Sequence, residues 1–324
     1  MKMSKIFTKV FIFYTLIFIG PLTVFAAYPD KPVRVIVPFP PGGATDIVGR
    51  EISEKLSQAF KQTFIVENKP GASGNIGMEM AARSPADGYT LVIGAPQTLT
   101  INPQLMKMSF DPQKELAPIV VIASVPNVLV VNPKLPVNSV KDLIALAKKR
   151  PGKLSYGSSS IGGTPHLSAE MFKAMTGTYI LHIPYRGSSP ALTDLMGGHI
   201  DFMFDNLPAA LPFIQSGALK AIAVTTLKRS SSLPNTPTMV EAGVPDFDSQ
   251  GWFSLLAPAA TPTEVLERIN IEVNKILLTD DFKARLAKVG ANPIGGSRVE
   301  FQNRIQMETK RWGSVIKIAD IKAE

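Results

Sequence analysis

Apolar residues recur along this chain with two alternating spacings. Short β-branched runs closed by proline or glycine alternate with stretches in which apolar residues return every three or four positions. Val33 to Val37 (VRVIV) is predicted as a buried strand stopped by Pro38. From Ala44 to Phe60, the residues Ile47, Val48, Ile52, Leu56, Ala59 and Phe60 fall on one helical face. Strands follow at Phe64 to Glu67 and Thr90 to Gly94, with a helix at Gly77 to Arg83 between them. Such alternation implies parallel strands covered by helices on both faces.

Asn127 to Val131 reads as a further strand, and Pro126, Pro133 and Pro136 around it suggest a crossing between two lobes. Ser139 is expected to cap a helix that runs to Lys149 and ends at Pro151-Gly152. Strands are predicted at Leu154 to Gly157, Ile180 to Ile183, Ile200 to Phe204 and Leu219 to Thr225. Helices between them start at Thr164 and Ser189. Thr164-Pro165 and Thr261-Pro262 both read as a Thr N-cap with Pro at the first helical position. Leu255 to Ala257 resembles a returning strand, and helices near Asp280 to Val289 and Ser297 to Ile318 complete the first lobe. The expected class is α/β with two lobes, each a mixed sheet flanked by helices. Lobe 1 is 27–128 with 250–324, lobe 2 is 129–249, and two chain crossings make the hinge of a clamshell.

The first 26 residues break this pattern. Lys2, Lys5 and Lys9 precede an almost unbroken apolar run from Val10 to Phe25, and Val24-Phe25-Ala26 supplies a small-residue end. That is the layout of a secretory signal peptide, so residues 1–26 are expected to be removed and the protein to act in the periplasm. Without those three lysines the formal charge falls from +8 to +5. The remaining excess is scattered, with no basic helix face and no zinc-finger spacing, so nucleic acid is not expected as a partner. There is no cysteine, which excludes thiolate catalysis, disulfides and an N-terminal lipid anchor.

Candidate chemistry lies in two loops built alike. A strand runs through a Gly-rich loop into a helix at VRVIV-PFPPGGATD and again at LSY-GSSSIGGTPHL. A helix N-terminus presents unpaired N–H groups and partial positive charge, so it holds anions without a cationic side chain. In open α/β sheets ligands sit beyond the carboxyl ends of strands, where both loops fall. If the lobes face each other, two helix ends converge on one pocket, and a carboxylate is the natural guest. Gly157 to Thr164 has P-loop spacing, but Gly163 stands where the phosphate-binding Lys is required. His166, His182 and His199 show no metal-ligand spacing, and no G-x-S-x-G elbow is present. No catalytic residue, metal or cofactor is expected. Asp46, in the first turn of its helix, reads as a structural partner of the dipole.

The succession PFPPGGATD, ENKPGASGNIG, ADGYTLVIG, GSSSIGGTPHLSAEMF, HIPYRGSSPALTDLMGGHIDFMF, LPNTPTMVEAG and GWFSLLAPAATP resembles the Bug/TctC family. These are extracytoplasmic solute-binding receptors of tripartite tricarboxylate transporters. The resemblance implies a Venus-flytrap (periplasmic-binding-protein) fold, a small carboxylate ligand held by backbone N–H groups and waters, and a membrane permease as partner; a monomer is the default expectation for a clamshell receptor. Carried onto this chain, it places the first loop at Phe39, Pro41, Gly42, Gly43, Ala44 and Thr45. The second comprises Ser158, Ser159, Ser160, Gly162, Gly163 and Thr164, with His166 behind it. Ala95, Gln97 and Thr98, and Asn206, are further expected walls; Asp205 joins them if the ligand carries an amine. Many relatives have glycine where Ser160 stands, and Lys where Arg186 stands; Arg186 reads as a surface charge. Two other functions fit the same fold, a ligand sensor signalling to a membrane histidine kinase and a periplasmic enzyme. The latter would need a nucleophile–base pair that the sequence does not supply.

Overall fold

The computed structural model describes residues 28–322. The segment expected to be a signal peptide, 1–26, lies outside them. The first part of the chain runs β1 (Val33–Val37), α1 (Ala44–Phe60), β2 (Phe64–Asn68), α2 (Asn75–Ala82) and β3 (Thr90–Gly94). A π-helical turn (Gln97–Ile101), α3 (Asn102–Leu105) and α4 (Pro112–Glu115) lead to β4 (Leu116–Val131). The middle part is α5 (Val140–Lys149), β5 (Ser155–Ser158), α6 (Thr164–Thr176), β6 (Leu181–Pro184), α7 (Ser188–Gly197), β7 (Phe202–Asn206), α8 (Leu207–Gln215) and β8 (Lys220–Val224). The chain returns through β9 (Gln250–Pro258), α9 (Thr263–Leu278), α10 (Asp280–Lys288), β10 (Asn292–Gly295) and α11 (Arg298–Ile318).

The strands form two mixed sheets that share β4. In the first half β1 pairs in parallel with β2 and β3, while β9 lies antiparallel between β3 and β4. In the second half β5 pairs in parallel with β6 and β7, and β7 and β8 run antiparallel to β4. Strand β4 is longer than the expected Asn127 to Val131, starting eleven residues earlier and running through Pro118 and Pro126. Pro118 sits at a register irregularity, and Pro126 is the last residue paired to β9. From Asn127 onward β4 pairs with β7. The proline thus stands at the change of partners, where a broken ladder costs least.

Each half has its own core. In the first, Val35, Ile93, Ile122 and Leu255 of the sheet pack on Val48, Ile52 and Leu56 of α1 and Ile269 and Val273 of α9. In the second, Phe172, Phe202 and Phe204 fill one face of the sheet and Leu192, Leu207 and Leu211 the other. Helix α11 ties the halves together: Trp312 packs with Ile101 of the first half and Leu167 of the second.

Two cap assignments need correction. The N-caps are Gly163 and Pro262, so Thr164 is already helical and α9 starts beyond its proline. The Thr164 hydroxyl contacts Asn127 Oδ1 (3.4 Å) instead of capping its helix, and the Thr261 hydroxyl is buried without a partner among the described residues. Ser139 does cap α5, accepting from the Asp142 N–H at 3.1 Å. Helix α8 escaped the pattern because Pro208 and Pro212 lie within nine residues. Pro208 occupies the first turn, where no N–H is needed.

Candidate functional site

The two loops meet between the halves. Helices α1 and α6 begin on glycine N-caps of nearly the same extended geometry, Gly43 (φ −78°, ψ 164°) and Gly163 (φ −67°, ψ 155°). Neither has a side-chain cap, whereas α4, α5, α10 and α11 are capped by Asp111, Ser139, Thr279 and Ser297. Two more uncapped helices start at the same place, α7 after Gly187 and α8 after Asn206. Together these ends wall a cleft of about 50 Å³. No charged side chain is among its lining residues. Positive potential there comes from backbone N–H groups and aligned peptide dipoles, about half an elementary charge per helix end.

The loops are held by dedicated neighbours. Asn68 donates to Phe39 O (3.0 Å) and to Asp46 Oδ1 (2.9 Å), and Asp46 Oδ2 accepts from the Gly42 N–H at 3.0 Å. Burial acts to raise the Asp46 pKa, but hydrogen bonds from Arg50, Gly42 and Asn68 outweigh it and hold the carboxyl below its usual range. Its charge is therefore committed to the loop and to Arg50. On the other side, Asn127 at the partner change of β4 accepts from Asn206 Nδ2 and Thr164 Oγ1, and donates to Ser168 Oγ at 2.9 Å. This buried amide locks the starts of α6 and α8 to one strand.

Of the residues expected from the sequence, the cleft gathers Phe39, Gly43, Ala44, Thr45, Ala95, Gln97, Ser159, Ser160, Gly163, Thr164 and Asn206. Seven lie elsewhere. Pro41 and Gly42 are exposed on the outside of the first loop. Thr98 is buried and its hydroxyl hydrogen-bonds Ala95 O (3.2 Å). Gly162 and His166 support each other through a Gly162 N–H···Nδ1 bond of 3.2 Å. Ser158 is buried with its hydroxyl 2.7 Å from His182 Nε2. The His182 ring stacks on His166 (4.4 Å between centroids) and on Tyr156 (4.7 Å), so the second loop rests on a pile of three rings. Burial pushes His166 down to about 4 and His182 to about 3, so both are neutral at ordinary pH.

Asp205 has no accessible surface and does not wall the cleft. Its Oδ1 accepts from the Ser188 hydroxyl and the Asn206 N–H, both at 2.9 Å, while Oδ2 has no partner among the described residues. Burial pushes its pKa up to about 7, against those two hydrogen bonds.

Gln97 joins the halves across the cleft. Its Nε2 donates to Ile161 O (2.8 Å) and its Oε1 accepts from the Ser160 hydroxyl (2.9 Å). Ser160 is not among the positive-φ residues, so a side chain fits without backbone strain. Gly187, Ser188, Gly251, Phe253 and the buried Asn127 went unnoticed in the sequence. A signal existed for the first two, because Gly187-Ser188 is a strand-to-helix junction of the same kind as the two loops.

The family model for the tripartite tricarboxylate transporter family receptor matches residues 48–321. Protein BugT of Bordetella pertussis is 36% identical over 319 residues, 98% of each chain. The solved structure of R. palustris Rpa4515 with adipate is 43% identical with a TM-score of 0.89, over 91% of this chain and 99% of that one. MatC from Rhodopseudomonas palustris with bound malate is 28% identical with a TM-score of 0.84, over 89% and 100%. With the two-sheet fold and the facing helix ends, these likenesses place the chain in the TctC family of tripartite tricarboxylate transporter receptors.

Proposed function

We propose that this protein is an extracytoplasmic solute-binding receptor that captures a small organic carboxylate and delivers it to a tripartite tricarboxylate-type permease. The observation that carries the reading is the convergence of four uncapped helix N-termini on a cleft lined by no charged side chain. Such a site rewards a guest that brings negative charge and accepts several N–H bonds. The N–H groups of Ala44, Thr45 and Thr164 are the proposed donors. Adipate and malate in the two relatives are carboxylates of this kind. Lobes of 27–128 with 250–324 and 129–249 would close about β4, the strand shared by both sheets, and the return of the chain into β9. No cofactor, metal or covalent step enters this reading, and a monomer suffices for it.

A thermal-shift screen of refolded protein against carboxylates and their amides tests it. Free ligand at about 100 times its dissociation constant adds roughly 2.7 kcal/mol of stability. A melting temperature raised by a carboxylate and not by its amide is the expected result. Equal shifts from acid and amide, or a response only to phosphates, would overturn the carboxylate site.

A further inference from the structure

Asp205 lies directly behind the wall of the cleft. The Ser188 hydroxyl and the Asn206 N–H, which both donate to its Oδ1 at 2.9 Å, belong to residues that line the cleft. The same two residues start α7 and cap α8, two of the four helices whose ends converge there. The carboxyl has no accessible surface, and its Oδ2 is buried without a partner among the described residues. An ionised carboxylate with an unpaired oxygen in such a place is costly, and taking up a proton removes the cost.

No cation among the described residues is paired with it. Strand β4, which pairs with Asp205 at Val128, carries no titratable side chain, and neither do α8 and β9. On β8 the one such group, Lys220, reaches Val137 O at 3.0 Å. On the other side of β7, β5 brings Tyr156, which stacks on His182, and His182 stacks on His166 of α6. In α7, Asp194 is bonded to Tyr185, and Arg186 ahead of that helix is exposed. Across the cleft, Asp46 is committed to Gly42, Asn68 and Arg50. Burial, opposed by the bonds from Ser188 and Asn206, alone places the Asp205 pKa at about 7.

We propose that Asp205 is a proton site coupled to the cargo: capture of a carboxylate takes up a proton from solvent onto Oδ2, and release returns it. The proposal rests on the carboxylate reading above. An ionised cargo brings a second negative charge to the helix ends that Asp205 already occupies from behind. Two carboxylates sharing one site do not both stay ionised without cost, and Asp205 is the one that water cannot solvate. The coupling is reciprocal, so acid favours capture and bound cargo favours the protonated form. A cargo carrying an ammonium group would reverse the sign, because ionised Asp205 attracts it.

Calorimetry of the refolded protein with the carboxylate that gives the largest shift in the melting screen, run in buffers of different ionisation enthalpy, counts the protons. If cargo raises the Asp205 pKa by about one unit, binding at pH 7.5 takes up about half a proton. The dissociation constant then rises about sevenfold between pH 6.5 and 9, a range in which simple carboxylate cargoes are already ionised. Asp205→Asn keeps an oxygen for Ser188 and Asn206 but cannot titrate, so it should take up no proton and bind with one affinity throughout. Ser188→Ala removes a hydrogen bond that favours the ionised form, so its pH midpoint should move upward. A cooperative melting transition verifies that each variant folds. No uptake in the parent, uptake that survives in Asp205→Asn, or an unmoved midpoint in Ser188→Ala overturns the proton site and leaves the carboxylate reading standing. If no carboxylate binds, both proposals fail together.

Discussion

Replacing Gln97 by alanine tests whether its amide latches the two halves. Gln97 is 5% exposed, and it reaches Ile161 O and Ser160 Oγ across the cleft at 2.8 and 2.9 Å. Each neutral hydrogen bond contributes about 1 kcal/mol net, so losing two shifts the open–closed equilibrium by about 2 kcal/mol, roughly 30-fold. Water can enter to satisfy the Ile161 carbonyl once the halves separate, so the cost falls on closure more than on folding. Small-angle scattering of the unliganded protein should therefore show a larger radius of gyration for Gln97→Ala. Affinity for the carboxylate that the thermal-shift screen identifies should drop because the binding-competent closed form is scarcer. A variant with the parent scattering curve and affinity within twofold, or one that only melts earlier, would refute the latch.

Ser160→Gly removes one of the two latch bonds and should weaken binding of the carboxylate found in the screen about fivefold, in line with about 1 kcal/mol for a single bond; affinity at or above the parent level contradicts the hydroxyl's role. Asp205, raised to about 7 from an unfolded value near 3.8, keeps its proton in the folded state while the unfolded chain releases it. Stability from this group therefore falls as pH rises from about 4 to 7, by at most about 1.4 kcal/mol per unit. In Asp205→Asn that contribution should vanish from urea-unfolding data at pH 5 and 8; an unchanged pH slope would count against it. His166 and His182 act oppositely, because they stay neutral when folded and take up protons when unfolded. Their contribution is present above about pH 6.5 and is lost as pH falls toward 4, so His182→Gln should flatten acid destabilisation below that point; equal acid sensitivity in variant and parent would exclude them as its source.

The elements that the sequence made legible are those whose local signals agree. β1 and β3 lie where β-branched, mostly apolar runs end at Pro38 and Gly94, and α1 where six apolar residues of the sequence fall on one helical face. Most of β4 and all of α8 were hidden by prolines: in the strand their tolerance depends on ladder partners that no local window contains, and in α8 Pro208 fills a first turn that needs no N–H. In the site, the glycine loops were visible because uncapped helix starts after strands have a compositional mark. Asn127 was invisible, since its importance comes from Thr164, Ser168 and Asn206, distant in sequence and adjacent in space. Asp205 was misplaced for the same reason: position after a strand says that it is near the cleft, not which way its carboxyl is buried.

Strand β4 spans 16 residues and is an inner member of both sheets. A one-residue slip along it would turn core side chains outward in both halves at once. The lobes therefore cannot behave as interchangeable modules. A cut in β4 would strip a central strand from each sheet, and a chimera joined there would have to match register on two sets of neighbours. Inheritance and engineering alike must treat this clamshell as one unit, varying its loops while its shared strand stays in register.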